Sequence, residues 1–217
     1  MKQQSALAGG HAQGRLKHRK VLRILAVLAA AILLLPASAI DSPSTLAADP
    51  EVVRINAGGP QMTVGGMVWA ADRSFSGGKA YSNPKVTAIA GTVNDALYLT
   101  ERSATTNRGA FNYTIPVSQS GTFTVRLHFA EIWHGATGGG PGGVGKRVFD
   151  VNLEGGPVEL DDLDLFAEVG AMTATVKTLS QTVTDGALTL DFTASVDQPK
   201  ISAIEVVYPT GTTPQPA

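Results

Sequence analysis

The sequence predicts an all-β domain, an antiparallel jelly-roll β-sandwich, and three observations carry that expectation. Apolar residues between about Val52 and Tyr208 recur at every second position far more often than at helical spacing. Gly, Pro, Asn and Asp punctuate the apolar runs, as at Gly58-Gly59-Pro60, Gly77-Gly78, Asn83-Pro84 and Gly155-Gly156-Pro157. The one helix-like stretch is short, around Leu163–Val169. Many short strands with turn signals between them are the habit of sandwiches and jelly rolls.

In chain order, residues 1–39 read as a secretory signal: basic residues from Arg15 to Arg23, an apolar run from Val21 to Leu35 broken by Arg23, then Ala37-Ser38-Ala39 for cleavage after Ala39. As a helix the unbroken run Ile24–Leu35 would span roughly 18 Å, short of the roughly 30 Å hydrocarbon core. The expectation is therefore a protein that is secreted or held at the cell surface, with an uncleaved N-terminal anchor as the alternative and no further membrane segment. Residues 40–50 have the small, polar, Pro-bearing composition of a linker. Residues 51–208 form the folded unit, and 209–217 are a Thr/Pro-rich tail.

Within that unit the predicted strands are Val52–Ala57, Ala96–Glu101, Phe111–Val117, Thr122–Ala130, Val148–Leu153, Thr173–Val183, Leu188–Thr193 and Lys200–Tyr208. Asp185-Gly186, between two alternating runs, predicts a tight hairpin. Trp69, Phe75, Phe149 and Phe192 are assigned to the core. Tyr81 and Trp133 fall in turn-rich or loop contexts.

The formal net charge is −1, yet six of the 17 Lys and Arg residues precede residue 24 and all 18 Asp and Glu follow residue 40. The remainder carries 18 − 11 = 7 excess negative charges, which argues against nucleic acid as a partner. With no cysteine, disulfides, thiolate nucleophiles and cysteine-ligated zinc are excluded.

The Gly-rich run Gly140–Lys146 approaches a phosphate-binding loop, but Arg147 stands where a Ser or Thr hydroxyl is needed and a strand follows instead of a helix. It reads as a long flexible loop between strands. There is no G-x-S-x-G elbow. Of the two histidines in the unit, His128 lies on the opposite face of its strand from Leu127 and Phe129 and reads as structural, whereas His134 adjoins Trp133 in the loop and is the better candidate for ligand contact. Asp161, Asp162 and Asp164 could offer oxygens to calcium but lack the glycine and distal glutamate of an EF-hand loop. The bland reading, a solvated turn capping the short helix, is preferred, so no metal or cofactor is assigned.

Sugar recognition pairs a flat aromatic surface with a few fixed polar groups. In a chain with 6% aromatic residues, Tyr81 and Trp133 beside loops, and Asp197 between two strands, are the residues that suit it. The residues leave open a cell-surface protein-interaction module, or a small glycan-active enzyme built on Glu131 or Asp150.

Several segments occur in an order that resembles the malectin family: Arg54-Ile-Asn-Ala-Gly-Gly59, Leu99-Thr-Glu-Arg102, Tyr113-Thr-Ile-Pro-Val117, Leu127-His-Phe-Ala-Glu131, Arg147-Val-Phe-Asp-Val151, Asp185-Gly-Ala-Leu188 and Pro199-Lys-Ile-Ser-Ala-Ile-Glu-Val206. The resemblance implies a jelly-roll β-sandwich of the galactose-binding-domain-like kind, with a non-catalytic carbohydrate site in the loops at one end. The family's early loop tyrosine matches Tyr81. Ser103 stands at the position of a ligand-contacting tyrosine, Trp133 and His134 replace two aromatics, and Asp197 matches the site's acid. The resemblance implies an oligosaccharide or surface glycan as partner, with α-glucosides among the candidates, though those replacements leave glucose-disaccharide specificity uninherited.

Overall fold

The computed structural model describes residues 52–208; the expectations for residues 1–50 and 209–217 lie outside them. Fourteen strands are present among the described residues: β1 (Val52–Asn56), β2 (Met62–Val64), β3 (Met67–Ala71), β4 (Phe75–Gly77), β5 (Lys79–Ser82), β6 (Thr100–Ser103), β7 (Phe111–Pro116), β8 (Gly121–Ala130), β9 (Val148–Leu153), β10 (Val158–Leu163), β11 (Ala174–Val183), β12 (Ala187–Val196), β13 (Lys200–Ile201) and β14 (Ala203–Val207). A 3-10 turn covers Asp95–Tyr98, and the helix α1 covers Leu165–Val169. No helix among the described residues is long and apolar enough to cross a membrane.

Two sheets make an antiparallel β-sandwich. One is six-stranded, in the order β11-β8-β14-β1-β3-β2, and the other five-stranded, in the order β10-β9-β12-β7-β4. Its one departure from antiparallel pairing within these sheets is β1 with β3. Period-2 patterning explains the sandwich directly: on β8, Phe123, Val125, Leu127 and Phe129 are fully buried while the residues between them turn away. They meet Tyr113 and Ile115 of β7, Phe149 and Val151 of β9, and Leu190 and Phe192 of β12 in one core. Phe111 and Phe192 stack there with centroids 4.6 Å apart.

The opposite face of the six-stranded sheet is not left to solvent. A second cluster containing Trp69, Leu97, Tyr98, Ile132 and Ala203 covers part of it. His128 points into this side, edge-on to Trp69 at 5.3 Å and with Nδ1 2.9 Å from the Tyr98 hydroxyl. Burial pushes its pKa down to about 4, so it is a neutral structural imidazole near pH 7. Farther along that face Glu205 of β14 bridges its register neighbours, taking Arg54 on one oxygen at 2.7 Å and Arg126 on the other at 2.6 Å.

Five expectations need correction. Asp185-Gly186 does not close a hairpin, because β11 pairs with β8 in one sheet and β12 with β7 and β9 in the other; the turn carries the chain between layers. The apolar run Ala96–Glu101 splits into the 3-10 turn and β6, and Lys200–Tyr208 breaks at Ser202 into β13 and β14. Phe75 is 42% exposed, since β4 is an edge strand; the Arg102 guanidinium covers its ring at 3.2 Å. Tyr81 is on strand β5, not in a loop.

Candidate functional site

A third, small sheet in the order β13-β6-β5 forms the floor of a cavity at one end of the sandwich. Its register sets Lys79 beside Ser103 and Ser103 beside Lys200, with Tyr81 beside Glu101 in the next row. Alternation along a strand puts residues two apart on one face, so Lys79 and Tyr81 from β5 and Glu101 and Ser103 from β6 line the cavity together. Trp133, Arg147, Asp197 and Gln198 supply the walls, from the β8–β9 loop and the β12–β13 turn. The volume of this open cavity is about 290 Å³.

The Trp133 indole is 41% exposed and stands edge-on to the Tyr81 ring, centroids 6.2 Å apart and planes at 83°. Burial, with the Glu101 and Glu131 carboxylates, pushes the Tyr81 hydroxyl's pKa up, so it is a neutral phenol able to donate. Two glycines shape the back of the indole. A Cβ on Gly140 would lie 2.9 Å from Trp133 Nε1, and one on Gly139 would lie 2.0 Å from the Trp133 carbonyl oxygen. The Gly-rich run, expected as a flexible loop, is folded back against Trp133 because it lacks side chains there. Asn83, just after β5, donates to the carbonyls of Ile132 at 2.9 Å and Thr137 at 3.0 Å. This ties the Trp133 loop to the strand that carries Tyr81.

Beneath the cavity lies a buried ionic group. Glu131 Oε1 accepts the backbone N–H of Trp133 at 2.8 Å and of His134 at 3.0 Å, and Oε2 accepts Arg147 Nε at 2.7 Å. Burial works to raise the Glu131 pKa, but Lys200, Arg147 and the Trp133 N–H outweigh it and hold it at about 2. Lys200, wholly buried, pairs with Glu101 Oε2 and lies 3.9 Å from Glu131 Oε1. For Glu101 burial prevails over the pull of Lys200 and its pKa is raised. Arg147 reaches outward as well, with Nη1 3.1 Å from Asp197 Oδ2 and donating to the Gln198 carbonyl.

Of the residues singled out in the sequence, Tyr81, Ser103, Trp133 and Asp197 come together on this one cavity. His134 does not line it. Its Nε2 lies behind, 2.9 Å from Asp197 Oδ2, because the backbone N–H bonds to Glu131 turn the loop at that point. Sequence reasoning missed Lys79, Arg147 and Gln198 and gave Glu101 no place here. Lys79 and Glu101 carried a signal, since each is two residues from a singled-out residue on the same strand. Gln198 had only its adjacency to Asp197, and Arg147 had none.

Glu131 and Asp150, the residues on which an enzyme was considered, are elsewhere. Glu131 is 1% exposed with both oxygens committed, and Asp150 lies on β9, where it accepts the Asp162 N–H at 2.8 Å. The acidic cluster also differs from the expected set. Oxygens of Asp150, Asp161 and Asp162 lie within 4.8 Å of one another, while Asp164 instead caps α1 by accepting the Ala167 N–H at 3.0 Å. Register shifts along β10 turn Asp161 and Asp162 toward β9 and leave Asp164 at the helix start.

Fold and cavity together define an all-β sandwich domain with a small aromatic and charged pocket at its loop end. Residues 51–204 match the malectin domain, and the chain belongs to that family of carbohydrate-binding domains. It is 30% identical to human malectin over 125 residues, 51% of this chain and 39% of that protein, and 30% identical to malectin-B of Xenopus laevis over 109 residues, 50% of this chain and 36% of that protein. The chain thus covers well under half the length of these curated relatives. Solved structures with the same fold include the ANX1 ectodomain of Arabidopsis thaliana, with a TM-score of 0.62 and 16% identity over 77% of this chain and 52% of that one. A chain of the complex of the plant peptide RALF23 with FER and LLG2 gives a TM-score of 0.63 and 18% identity over 79% of this chain and 54% of that one. A Bacteroides uniformis β-glucuronidase gives 0.58 and 17% over 72% of this chain but 18% of that one.

Proposed function

We propose that this domain is an exported, non-catalytic saccharide-binding module whose ligand sits in the cavity between Tyr81 and Trp133. The observation that carries this reading is the convergence of a half-exposed indole, a neutral phenol, the Ser103 hydroxyl and the Asp197 carboxylate on one cavity of about 290 Å³. That volume is near the lower end for small-molecule sites and suits one or two sugar rings. The aromatic pair offers an apolar surface to ring C–H groups, and Asp197, Gln198 and Ser103 offer acceptors and donors to hydroxyls. Ser103 in place of a third aromatic leaves that wall small and polar, which supports a ligand other than the family's glucose disaccharides. Export rests on the basic, apolar and Ala-Ser-Ala pattern of residues 1–39.

A glycan panel of α- and β-linked gluco-, galacto- and manno-oligosaccharides, probed with the purified domain and confirmed by calorimetry, tests the reading. Binding in the micromolar-to-millimolar range supports it. Silence across the panel would leave the second reading, a protein-interaction module, favoured by the likeness to a chain solved in a complex with the plant peptide RALF23.

A further inference from the structure

Asp197 is held in a way its neighbours along the chain do not require. Its backbone is in the left-handed region, with φ 59, and its carbonyl accepts the Arg108 N–H. Oxygen Oδ2 is shared between His134 Nε2 at 2.9 Å and Arg147 Nη1 at 3.1 Å. Among the described residues Oδ1 has no protein partner, and it belongs to a residue that lines the cavity. The His134 ring is itself fixed: its side chain is 14% exposed, its backbone N–H is bound by Glu131, and its Nδ1 faces the Pro141 carbonyl at 3.4 Å. Because a carboxylate oxygen can only accept, Nε2 carries a proton and donates it to Asp197.

We propose that His134 is a positioning residue for saccharide binding. It donates from Nε2 to Asp197 Oδ2 and so leaves Oδ1 as the fixed acceptor for a ligand hydroxyl, without touching the ligand itself. This rests on the saccharide-binding reading above. A carboxylate pinned by two donors loses little rotamer freedom when the ligand arrives, and that preorganisation adds to the affinity. Arg147 alone cannot supply it, since the same guanidinium is also committed to Glu131 and to the Gln198 carbonyl.

The test uses calorimetric titration of the full chain with nigerose, maltose and cellobiose, together with the best ligand of the panel. Replacing His134 with Leu removes the donor and weakens binding about tenfold, with the melting temperature within about 2 °C of the parent. His134→Gln, whose amide N–H reaches a similar position, restores binding to within about threefold of the parent. In an Asp197→Ala background, His134→Leu costs nothing further, because the acceptor it positions is gone. A Gln variant as weak as the Leu variant, a Leu variant that binds like the parent, or additive losses in the Asp197→Ala background would each overturn the proposal. If the parent protein binds no saccharide, the saccharide reading fails instead. The positioning link is then decided by the ¹⁵N shift of His134 Nε2, which must change in Asp197→Ala; an unchanged shift overturns it.

Discussion

Arg147 joins the floor of the cavity to its rim: Nε is bonded to the buried Glu131 at 2.7 Å, while Nη1 reaches Asp197 at 3.1 Å. The β8–β9 loop is thereby tied at both ends to groups of the site, with Trp133 between them. Stability and recognition accordingly depend on different members of one set of charges, and the two can be separated by mutation.

Trp133 is 41% exposed, and in the proposed saccharide-binding reading it serves recognition more than packing. Trp133→Ala should lower saccharide affinity at least about tenfold while shifting the melting temperature by only a few degrees, as followed by calorimetric titration and differential scanning calorimetry. Tyr81→Phe, which keeps the ring and removes the hydroxyl, should cost less than Tyr81→Ala.

Lys200 serves the opposite purpose. Its ammonium is wholly buried between Glu101 and Glu131, so Lys200→Met leaves two buried carboxylates with one cation fewer. Removing one partner of a buried ion pair costs about 3–5 kcal/mol, which a urea unfolding curve will register. Adding Glu101→Gln to that variant should recover part of the loss.

Acid should destabilise the domain in two stages. His128 is neutral in the fold, its pKa lowered by burial to about 4, whereas the unfolded chain takes up the proton at about 6.5. Stability therefore falls as pH drops from about 6.5 to 4, by about 3 kcal/mol in full. The Glu131 carboxylate, held at about 2, contributes stability that is present above its unfolded pKa and lost as pH falls toward 2. Glu101, whose pKa is raised, acts in the opposite sense, so the His128 stage is read as the difference between the parent and His128→Gln in urea midpoints measured from pH 7 to 3, with the Glu131 stage beginning below its unfolded pKa.

Gly140 has no room for a methyl group against the indole. Gly140→Ala should displace Trp133, weakening saccharide binding and shifting its fluorescence emission, with the far-ultraviolet circular dichroism of the sandwich unchanged.

The fold was legible because its signal is local. Alternation such as Phe123, Val125, Leu127 and Phe129 reports a half-buried strand without knowledge of its partners. Which strand pairs with which is not local: Asp185-Gly186 has hairpin chemistry, yet the chain there leaves one sheet for the other. At the site, Tyr81, Ser103, Trp133 and Asp197 could be singled out from residue type and resemblance. The buried group beneath them could not, because Glu101, Glu131, Arg147 and Lys200 look like any other charges until β13 joins β6, bringing Lys200 to Glu101, and the two ends of the β8–β9 loop bring Arg147 to Glu131. His134 was placed in the right loop on the wrong side of Asp197, since the turn imposed by Glu131 on the following two amides leaves no trace in the sequence.

The central claim is that a saccharide binds against Trp133, and the chain offers a direct readout because it holds two tryptophans. A ¹H–¹⁵N correlation spectrum shows one indole cross-peak for each, and Trp69, 2% exposed in the second apolar cluster, serves as the internal reference. Titration with the best saccharide of the panel should move the Trp133 indole peak along a saturable curve and leave that of Trp69 in place. A bound saccharide that leaves the Trp133 peak where it was would contradict the account.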